Sequence, residues 1–360
     1  MKNITLITIL ISFLSITSIK INASSIIVKK KKEHFKVLPQ TLSENNLSKE
    51  VFESIDEFAK NTPIKNEKNI QSLADYLTQP YKTEIEKIRA LFTWVATHVK
   101  YDTESFNARI SQDNSAEYVF KHRIAVCEGY SNLLDSLCKA VRLESQVVEG
   151  YAKGFGYVEN RKLNSANHDW NAIKVNGNWC LFDVTWGAGY CENKSGRAFY
   201  IASFEPFWFN TNPKAFIFTH LPENKSLQLI NEPFEMDTYI KMPWLSEPYF
   251  LLGFNADSTY DDAIKNNYKE FVKCFVNEPL VKVIKAPNKE VIKGKEISFL
   301  FESEMVYEIT LVEKNKWYTF NKNNLQFSLS YKPIAKEFEI CVKIKPKDKV
   351  YATLMKYKVR

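Results

Sequence analysis

The dipeptide Asn176-Gly177 constrains the fold of this chain most strongly, because it separates two apolar segments of strand-like composition. Asn-Gly is the strongest short-range signal for a two-residue hairpin turn, in which both residues adopt positive φ. We therefore predict antiparallel strands over residues 168–175 and 179–186. A two-residue turn places Val175 opposite Asn178, and this pairing determines the alignment of all residues farther from the turn.

The same alignment predicts that His168 and Asp183 share one face of the hairpin. Counting back from the turn, His168 lies opposite Thr185, and side chains two residues apart on a strand project from the same face. Asp183 is then a diagonal neighbour of His168, about 7–8 Å away between backbones, a gap that side chains can bridge. A three-residue loop without a bulge would instead put the two side chains on opposite faces.

A helix with a cysteine at its start precedes this hairpin. Apolar residues recur at helical spacing after Cys127, and they predict an amphipathic helix of roughly four turns. The first turn of a helix has unpaired N–H groups and the positive end of the helix dipole, and both stabilise a thiolate. The alternative is a small buried cysteine in a core helix, which is our interpretation of Cys138 in the same helix.

Cys127, His168 and Asp183 together form a candidate catalytic triad. A thiol is a good nucleophile only as a thiolate, which a neighbouring histidine can generate. A carboxylate then fixes the orientation and tautomer of the imidazole. Asp183 lies in an apolar segment, where a carboxylate is costly unless it is paired. The alternatives are an aspartate that caps a nearby loop and a structural histidine.

Short motifs in the same order resemble the transglutaminase-like superfamily, a relative of papain-type cysteine proteases, and within it the branch that contains kyphoscoliosis peptidase and its bacterial relatives. The motifs are KIRALFTWV (87–95) with YD (101–102), VCEGY (126–130), GYAKG (150–154), NHDWN (167–171), DVTWGAG (183–189) and a later THLP (219–222). The resemblance covers roughly residues 84–222. It implies that Cys127 is the nucleophile, His168 the general base and Asp183 its orienting partner.

The residues beside Cys127 depart from those of calcium-dependent transglutaminases, which have Gly-Gln before the cysteine and Trp after it. This chain has Ala125-Val126 and Glu128 at those positions. The departure favours hydrolysis of peptide or amide bonds over protein cross-linking and removes the usual calcium expectation. The chain also has no Asp-rich loop of calcium-binding spacing. We therefore expect no cofactor and no metal.

Several aromatic residues are candidates for supporting roles. The backbone N–H of Cys127 is one expected oxyanion donor, and a side chain, Trp94 or Tyr101, is a candidate for the second. Trp94 is alternatively a core residue, since large aromatic side chains mostly serve packing. The candidates for a substrate groove are Tyr130, Trp170 and Trp186.

Residues 1–23 resemble a secretory signal, with Lys2, an uncharged apolar run and small residues near position 23. The run is short for a membrane span, so we expect no stable transmembrane anchor; an uncleaved anchor is the alternative. Removal of Lys2 and Lys20 lowers the formal charge from +7 to +5. The expected location is secreted, periplasmic or at the cell envelope.

The change from helical to strand periodicity predicts an α+β fold. N-terminal helices pack on an antiparallel sheet in a transglutaminase-like (papain-like) core, and a small all-β sandwich follows. A helix is predicted at 260–275, and a disulfide between Cys180 and Cys191 is left open. The predicted division is 1–23 signal peptide, 24–48 polar linker, 49–240 catalytic domain (core about 84–222), 241–278 connecting segment and 279–360 β-sandwich-like domain.

Two functions compete at this point. The first is a secreted cysteine acyl-transfer enzyme that acts on a protein or peptide substrate. The second is a catalytically silent binding or scaffold protein of the same fold. The C-terminal β domain suits a cell-envelope or protein partner. Nucleic acid is not an expected partner, because the composition is that of an ordinary globular protein, with 25% charged residues, and no nucleic-acid motif or phosphate loop occurs.

Overall fold

The computed structural model describes residues 48–265, 271–275 and 280–360. The predicted signal segment and nearly all of the predicted polar linker lie outside these residues. In the described part of the chain, no helix is both long enough and apolar enough to cross a bilayer.

Helices dominate the first part of the described chain, as predicted. Helix α3 begins with a capping box, in which the Thr83 hydroxyl accepts from the Glu86 N–H and the Glu86 carboxylate accepts from the Thr83 N–H. The helices up to residue 140 are α1 (Lys49–Lys60), α2 (Ile70–Thr78), α3 (Glu84–His98), α4 (Thr103–Ala108), α5 (Ala116–His122) and α6 (Cys127–Ala140). Their apolar faces pack into one core with the sheet that follows.

That sheet has four antiparallel strands in the order β5-β4-β3-β8. The strands are β3 (Ser145–Ala152), β4 (His168–Val175), β5 (Asn178–Phe182) and β8 (His220–Pro222). Helix α6 lies against the sheet, and the Asn171 amide donates to the Ser131 carbonyl across this contact at 2.9 Å. Two short parallel strands, β1 (Lys100–Tyr101) and β2 (Ile124–Ala125), and a hairpin of β6 (Gly189–Lys194) and β7 (Arg197–Ala202) flank the sheet.

The predicted hairpin turn is confirmed, but its second strand is shorter than predicted. Val175 pairs with Asn178, and Asn176 and Gly177 have φ of 51° and 81°. The ladder ends at the pair Asn171–Phe182. Residues 184–188 are not strand: they form the short helix α7 (Val184–Ala188), because the Asp183 Oδ1 accepts from the Trp186 N–H at 2.9 Å and caps it.

The C-terminal part forms two facing sheets, as predicted. One has the order β10-β11-β15-β14 and the other β13-β12-β16-β17-β9. Their strands are β9 (Lys273–Cys274), β10 (Lys282–Lys285), β11 (Ile297–Glu302), β12 (Glu308–Glu313), β13 (Lys316–Thr319), β14 (Asn321–Asn323), β15 (Gln326–Tyr331), β16 (Glu337–Lys343) and β17 (Ala352–Lys358). Phe299 of one sheet contacts Phe338 and Tyr357 of the other, so the apolar core lies between them.

Short helices connect the two parts of the chain. They are α8 (Pro213–Phe216), α9 (Met236–Tyr239), α10 (Glu247–Leu251) and α11 (Ala256–Lys265). The helix predicted at 260–275 is wrong in its extent, since α11 starts at Ala256 and residues 273–274 belong to strand β9. Pairing of that segment with β17 overrides its helical pattern. The domain boundaries themselves stay a prediction.

Candidate active site

Cys127 is the first residue of helix α6. The backbone just before it is fixed, because β2 pairs in parallel with β1 and the Asp102 N–H donates to the Ala125 carbonyl at 2.9 Å. Gly129 allows this close packing, since a Cβ there would lie 2.8 Å from both the Ala125 and Val119 side chains. The thiol therefore sits on a rigid helix start, where the free N–H groups and the helix dipole stabilise negative charge.

His168 begins strand β4 and contacts Asp183 of the predicted triad. Its Nε2 lies 2.7 Å from the Asp183 Oδ2. The thiol of Cys127 is near enough to contribute to the pKa of the imidazole, and Nδ1 is the ring nitrogen that Asp183 does not use. Burial alone would lower the pKa of His168, but the charge and hydrogen bond of Asp183, with a smaller contribution from Cys127, raise it to about 10.

Both carboxylate oxygens of Asp183 accept hydrogen bonds. Oδ1 caps α7, as described above, and Oδ2 accepts from His168. The side chain is fully buried, which would raise the pKa of Asp183. The pKa is nevertheless held well below its usual range by the charge and hydrogen bonds of the two histidines, His168 and His220.

A second histidine, His220, approaches the same oxygen. Its Nε2 lies 3.0 Å from the Asp183 Oδ2, and its Nδ1 lies 2.8 Å from the Thr219 hydroxyl. The imidazole is fully buried, and burial lowers its pKa to about 4. His220 was not among the predicted site residues, and its only signal in the sequence was the THLP motif at 219–222.

A further carboxylate, Asp169, lies beside the thiol. The Cys127 Sγ is 3.9 Å from the Asp169 Oδ2. Burial raises the pKa of Asp169 to about 6, and the nearby carboxylates of Glu128 and Glu149 raise it while His168 lowers it. Glu149 faces Asp169 directly across β3 and β4. Above that pKa, the Asp169 side chain places a negative charge beside the Cys127 sulfur.

The predicted supporting residues divide into two groups. Tyr101 and Trp186 lie near the site: the Cys127 charge contributes, after burial, to a raised pKa of Tyr101, and the Trp186 ring centroid is 5.6 Å from that of His168. Trp94, Tyr130 and Trp170 are completely buried in the core. These three have no surface to offer a substrate or an oxyanion, and our assignment of them to the site is corrected accordingly.

Two of these three residues have hydrogen-bond partners for their polar atoms, whereas the buried Trp170 Nε1 has none. The Trp94 Nε1 donates to the Glu67 carboxylate at 3.1 Å, and the Tyr130 hydroxyl donates to the Val99 carbonyl at 2.6 Å. Trp170 packs against the His220 ring, with centroids 5.1 Å apart. Their aromatic character therefore reflects packing, which sequence position alone does not distinguish from a groove.

His168, Asp183 and His220 bring three potential ligand atoms within 4.8 Å of one another. The 2.7 and 3.0 Å contacts to a single carboxylate oxygen are ordinary hydrogen-bond lengths. We interpret the group as a hydrogen-bonded set that orients an imidazole.

The other thiols differ from Cys127. All six cysteines lie in described residues and no disulfide joins any of them, so the pair Cys180–Cys191 is not formed. Burial raises the pKa of Cys191 to about 11, and burial also raises the pKa of Cys138. Cys138 is buried inside α6, as expected from its place in the helix.

Residues 71–184 match the model of the transglutaminase-like superfamily. The matched segment contains Cys127, His168 and Asp183, so this chain carries a transglutaminase-like domain. The α+β fold predicted from the sequence is confirmed.

Within that superfamily the chain is similar to the kyphoscoliosis peptidase branch. Human kyphoscoliosis peptidase is 30% identical over 207 residues, which are 56% of this chain and 31% of that protein. Hillarin of Drosophila melanogaster is 26% identical over 220 residues, 58% of this chain and 27% of that protein. This chain thus spans less than a third of the length of these relatives. A crystal structure of red sea bream transglutaminase covers 86% of this chain and 73% of its own, at 9% identity and a TM-score of 0.27, too low to support any inference.

Proposed function

We propose that this protein is a cysteine acyl-transfer enzyme that cleaves peptide or amide bonds. The observation that carries the proposal is the buried imidazole of His168, which is paired with Asp183 at 2.7 Å, together with the thiol of Cys127 at the start of α6, which contributes to the raised pKa of that imidazole. A histidine whose pKa is raised in this way stays protonated at neutral pH and can balance a thiolate. The predicted signal segment supports secretion or a place at the cell envelope.

The first half of the reaction forms a thioester. The Cys127 thiolate attacks the carbonyl carbon, an Sγ–C bond forms, and the π electrons move to oxygen. The backbone N–H of Cys127 lies in the first turn of α6 and is suited to stabilise that oxyanion. Collapse of the intermediate breaks the C–N bond, and the leaving amine takes a proton from the His168 Nδ1.

The second half releases the acyl group. His168 Nδ1, now neutral, accepts a proton from water while the water oxygen attacks the thioester carbon. Breakage of the C–S bond then restores the thiolate–imidazolium pair. Hydrolysis is the preferred outcome because the residues flanking Cys127 differ from those of cross-linking transglutaminases.

A second acyl acceptor is favoured by one specific observation. The carboxylate of Asp169 lies 3.9 Å from the sulfur, and a carboxylate attracts an ammonium group and can accept its proton. A lysine amine arriving at this position would resolve the thioester as an isopeptide bond. A mixture of a glutamine-containing peptide library with a labelled primary amine distinguishes the two outcomes, since only transfer incorporates the label.

The decisive experiment is the rate of Cys127 alkylation by iodoacetamide from pH 5 to 9, followed by peptide-resolved mass spectrometry in wild type and His168→Ala. We expect a rate that is nearly constant down to pH 5 in wild type and that requires pH near 8.5 in the variant. Cys191 is an internal control, because its raised pKa, about 11, makes it react only at high pH. A Cys127 profile that rises only near pH 8.5 and ignores His168 would contradict the enzyme and favour the silent scaffold.

A further inference from the structure

We propose that His220 is a positioning residue for this site, holding the Asp183 carboxylate ionised and aimed at His168. The inference rests on the proposed function. It assigns a role to a buried side chain that the three-residue arrangement does not use. Its basis is the contact of two imidazoles with one carboxylate oxygen, at 2.7 and 3.0 Å.

The sheet is built to bring the two histidines together. His168 pairs with Gly150 across β4 and β3, and His220 pairs with Ala152 across β8 and β3. Gly150 and Ala152 are two residues apart, so all four positions share one face of the sheet. The histidines stand two strand spacings apart, roughly 10 Å between backbones. The β3 residues between them are Gly150 and Ala152, whose side chains are a hydrogen and a methyl group. These small side chains leave room for both imidazole rings to converge on Asp183.

Gly150 is essential to this approach. A Cβ at that position would lie 2.4 Å from the Leu221 carbonyl oxygen and 2.5 Å from the Trp170 ring. The contact with the Leu221 carbonyl would force β8 away from β3, and His220 would move with it; the contact with Trp170 would displace a ring that packs against His220. The close approach of these strands thus serves the site and not only the packing.

An apolar enclosure makes the hydrogen bond of His220 important. Its ring is fully buried and contacts the rings of four aromatic residues, which are Trp170, Trp186, Trp208 and Phe216. The Asp183 carboxylate lies in the same enclosure, where burial without donors would favour its neutral form. A neutral Asp183 could not hold a protonated His168. Each donor to Asp183 therefore stabilises the imidazolium as well.

The surroundings of His220 define its protonation state. Asp183 can only accept, so the His220 Nε2 carries the proton. Its Nδ1 lies 2.8 Å from the Thr219 hydroxyl, whose single proton has the Phe216 carbonyl at 3.2 Å as its other acceptor. The ring is fully buried, and burial lowers its pKa to about 4, so the imidazole is neutral at the pH of the site. His220 supplies a hydrogen bond without a competing positive charge.

Other ionisable groups facing this set are few among the described residues. Cys127 and Asp169 contribute to the pKa of His168 or are influenced by it, and Tyr101 is influenced by both Cys127 and Asp183. Asp169 titrates near pH 6, so its step has to be separated from that of the thiol. A parallel pH profile of Asp169→Asn achieves this separation.

The test compares variants at one position. His220→Phe keeps an aromatic ring and removes the donor, whereas His220→Gln keeps a neutral N–H donor. The readout is the pH profile of Cys127 alkylation, which a merely structural role would not move. We expect His220→Phe to react at least tenfold more slowly at pH 6, with a midpoint at least one pH unit higher. We expect His220→Gln to stay within threefold of wild type.

Two controls keep the outcomes separate. Glu313→Gln, in strand β12 of the C-terminal sandwich, should lower stability without changing the pH profile, which excludes destabilisation as the cause. If His220→Phe does not fold, Thr219→Val replaces it: loss of the hydroxyl should shift the profile in the same direction by a smaller amount. If folded His220→Phe shows the wild-type pH profile, the role of His220 is wrong and the proposed function still stands. Thr219→Val decides the matter in the same way if His220→Phe does not fold. A wild-type profile with no thiolate below pH 7 would overturn the proposed function as well.

Discussion

Two buried carboxylates, one in each part of the molecule, have similar surroundings and different consequences. Asp183 in the transglutaminase-like part and Glu313 in the sandwich are 0% and 2% exposed. Each accepts three hydrogen bonds. Asp183 accepts from the Trp186 N–H and from two histidines, and Glu313 accepts from the Tyr331 hydroxyl and from two N–H groups, of Ile334 and Ala335, at 2.7, 2.9 and 2.9 Å.

The nature of the donors separates the two sites. The donors of Glu313 are neutral groups at the last residue of β15 and on the segment that follows it, so the carboxylate holds that segment against the end of β12. Two donors of Asp183 are imidazoles. His168 is protonated because Asp183 raises its pKa, and His220 is neutral. Burial and a full set of hydrogen bonds are common to structural and chemical carboxylates, whereas an imidazole donor that can carry a positive charge at neutral pH marks the chemical one.

The largest effect is expected from Asp183→Asn. Asparagine can still cap α7, so the substitution removes the charge and leaves the local fold. Without that charge burial lowers the pKa of His168, and Cys127 loses its cationic partner. An unassisted thiol of pKa about 8.5 is only about 0.3% ionised at pH 6, so alkylation at that pH should fall about three hundredfold from that of a fully ionised thiolate.

A comparison with wild type at pH 9 supplies the control for Asp183→Asn. There the thiol ionises without help, and the two rates should converge. If instead Asp183→Asn alkylates like wild type at pH 6, Asp183 serves only as the cap of α7, and its likeness to Glu313 is complete.

Glu313→Gln is expected to lower the stability of the protein and to leave the reactivity of Cys127 unchanged. The amide retains one acceptor oxygen but meets the Tyr331 hydroxyl or the two N–H groups with a donor, and an unmatched buried group costs about 1–3 kcal/mol. The free energy of unfolding in urea should fall by this amount, while Cys127 alkylation should stay within twofold of wild type. Altered alkylation would show that the sandwich influences the site.

Local patterns predicted much of this fold and site. Turn chemistry at Asn176-Gly177 determined the hairpin alignment, and helical spacing placed Cys127 at a helix start. The pattern could not show where β5 ends, because Asp183 stops the strand by capping α7. His168 and Asp183 meet through that cap and not as ladder neighbours.

Long-range packing explains what the sequence did not reveal. His220 lies 52 residues after His168, and only the pairing of β8 with β3 brings it to Asp183. Three aromatic residues of the matched motifs were predicted to serve the site, yet packing buries all of them. They are Trp94, Tyr130 and Trp170. Aromatic residues near a catalytic motif serve either purpose, and only the fold decides which.

The smallest effect is expected from Asp169→Asn, which tests whether the acidic surroundings of the thiol select cationic partners. A single partly exposed charge about 4 Å away is worth about 1 kcal/mol in water-like surroundings. The preference of Cys127 for a trimethylammonium-bearing thiol reagent over its neutral analogue should therefore fall about fivefold. In wild type the preference should appear as the pH rises through about 6, where Asp169 ionises. Glu149→Gln is the matched control, because it removes a carboxylate charge on the neighbouring strand. The preference for the cationic reagent should persist in this variant. The pH at which the preference appears should be lower, because a neighbouring negative charge no longer raises the pKa of Asp169. Equal preferences in wild type and Asp169→Asn across this range would remove the basis for a lysine acceptor and leave water as the acceptor.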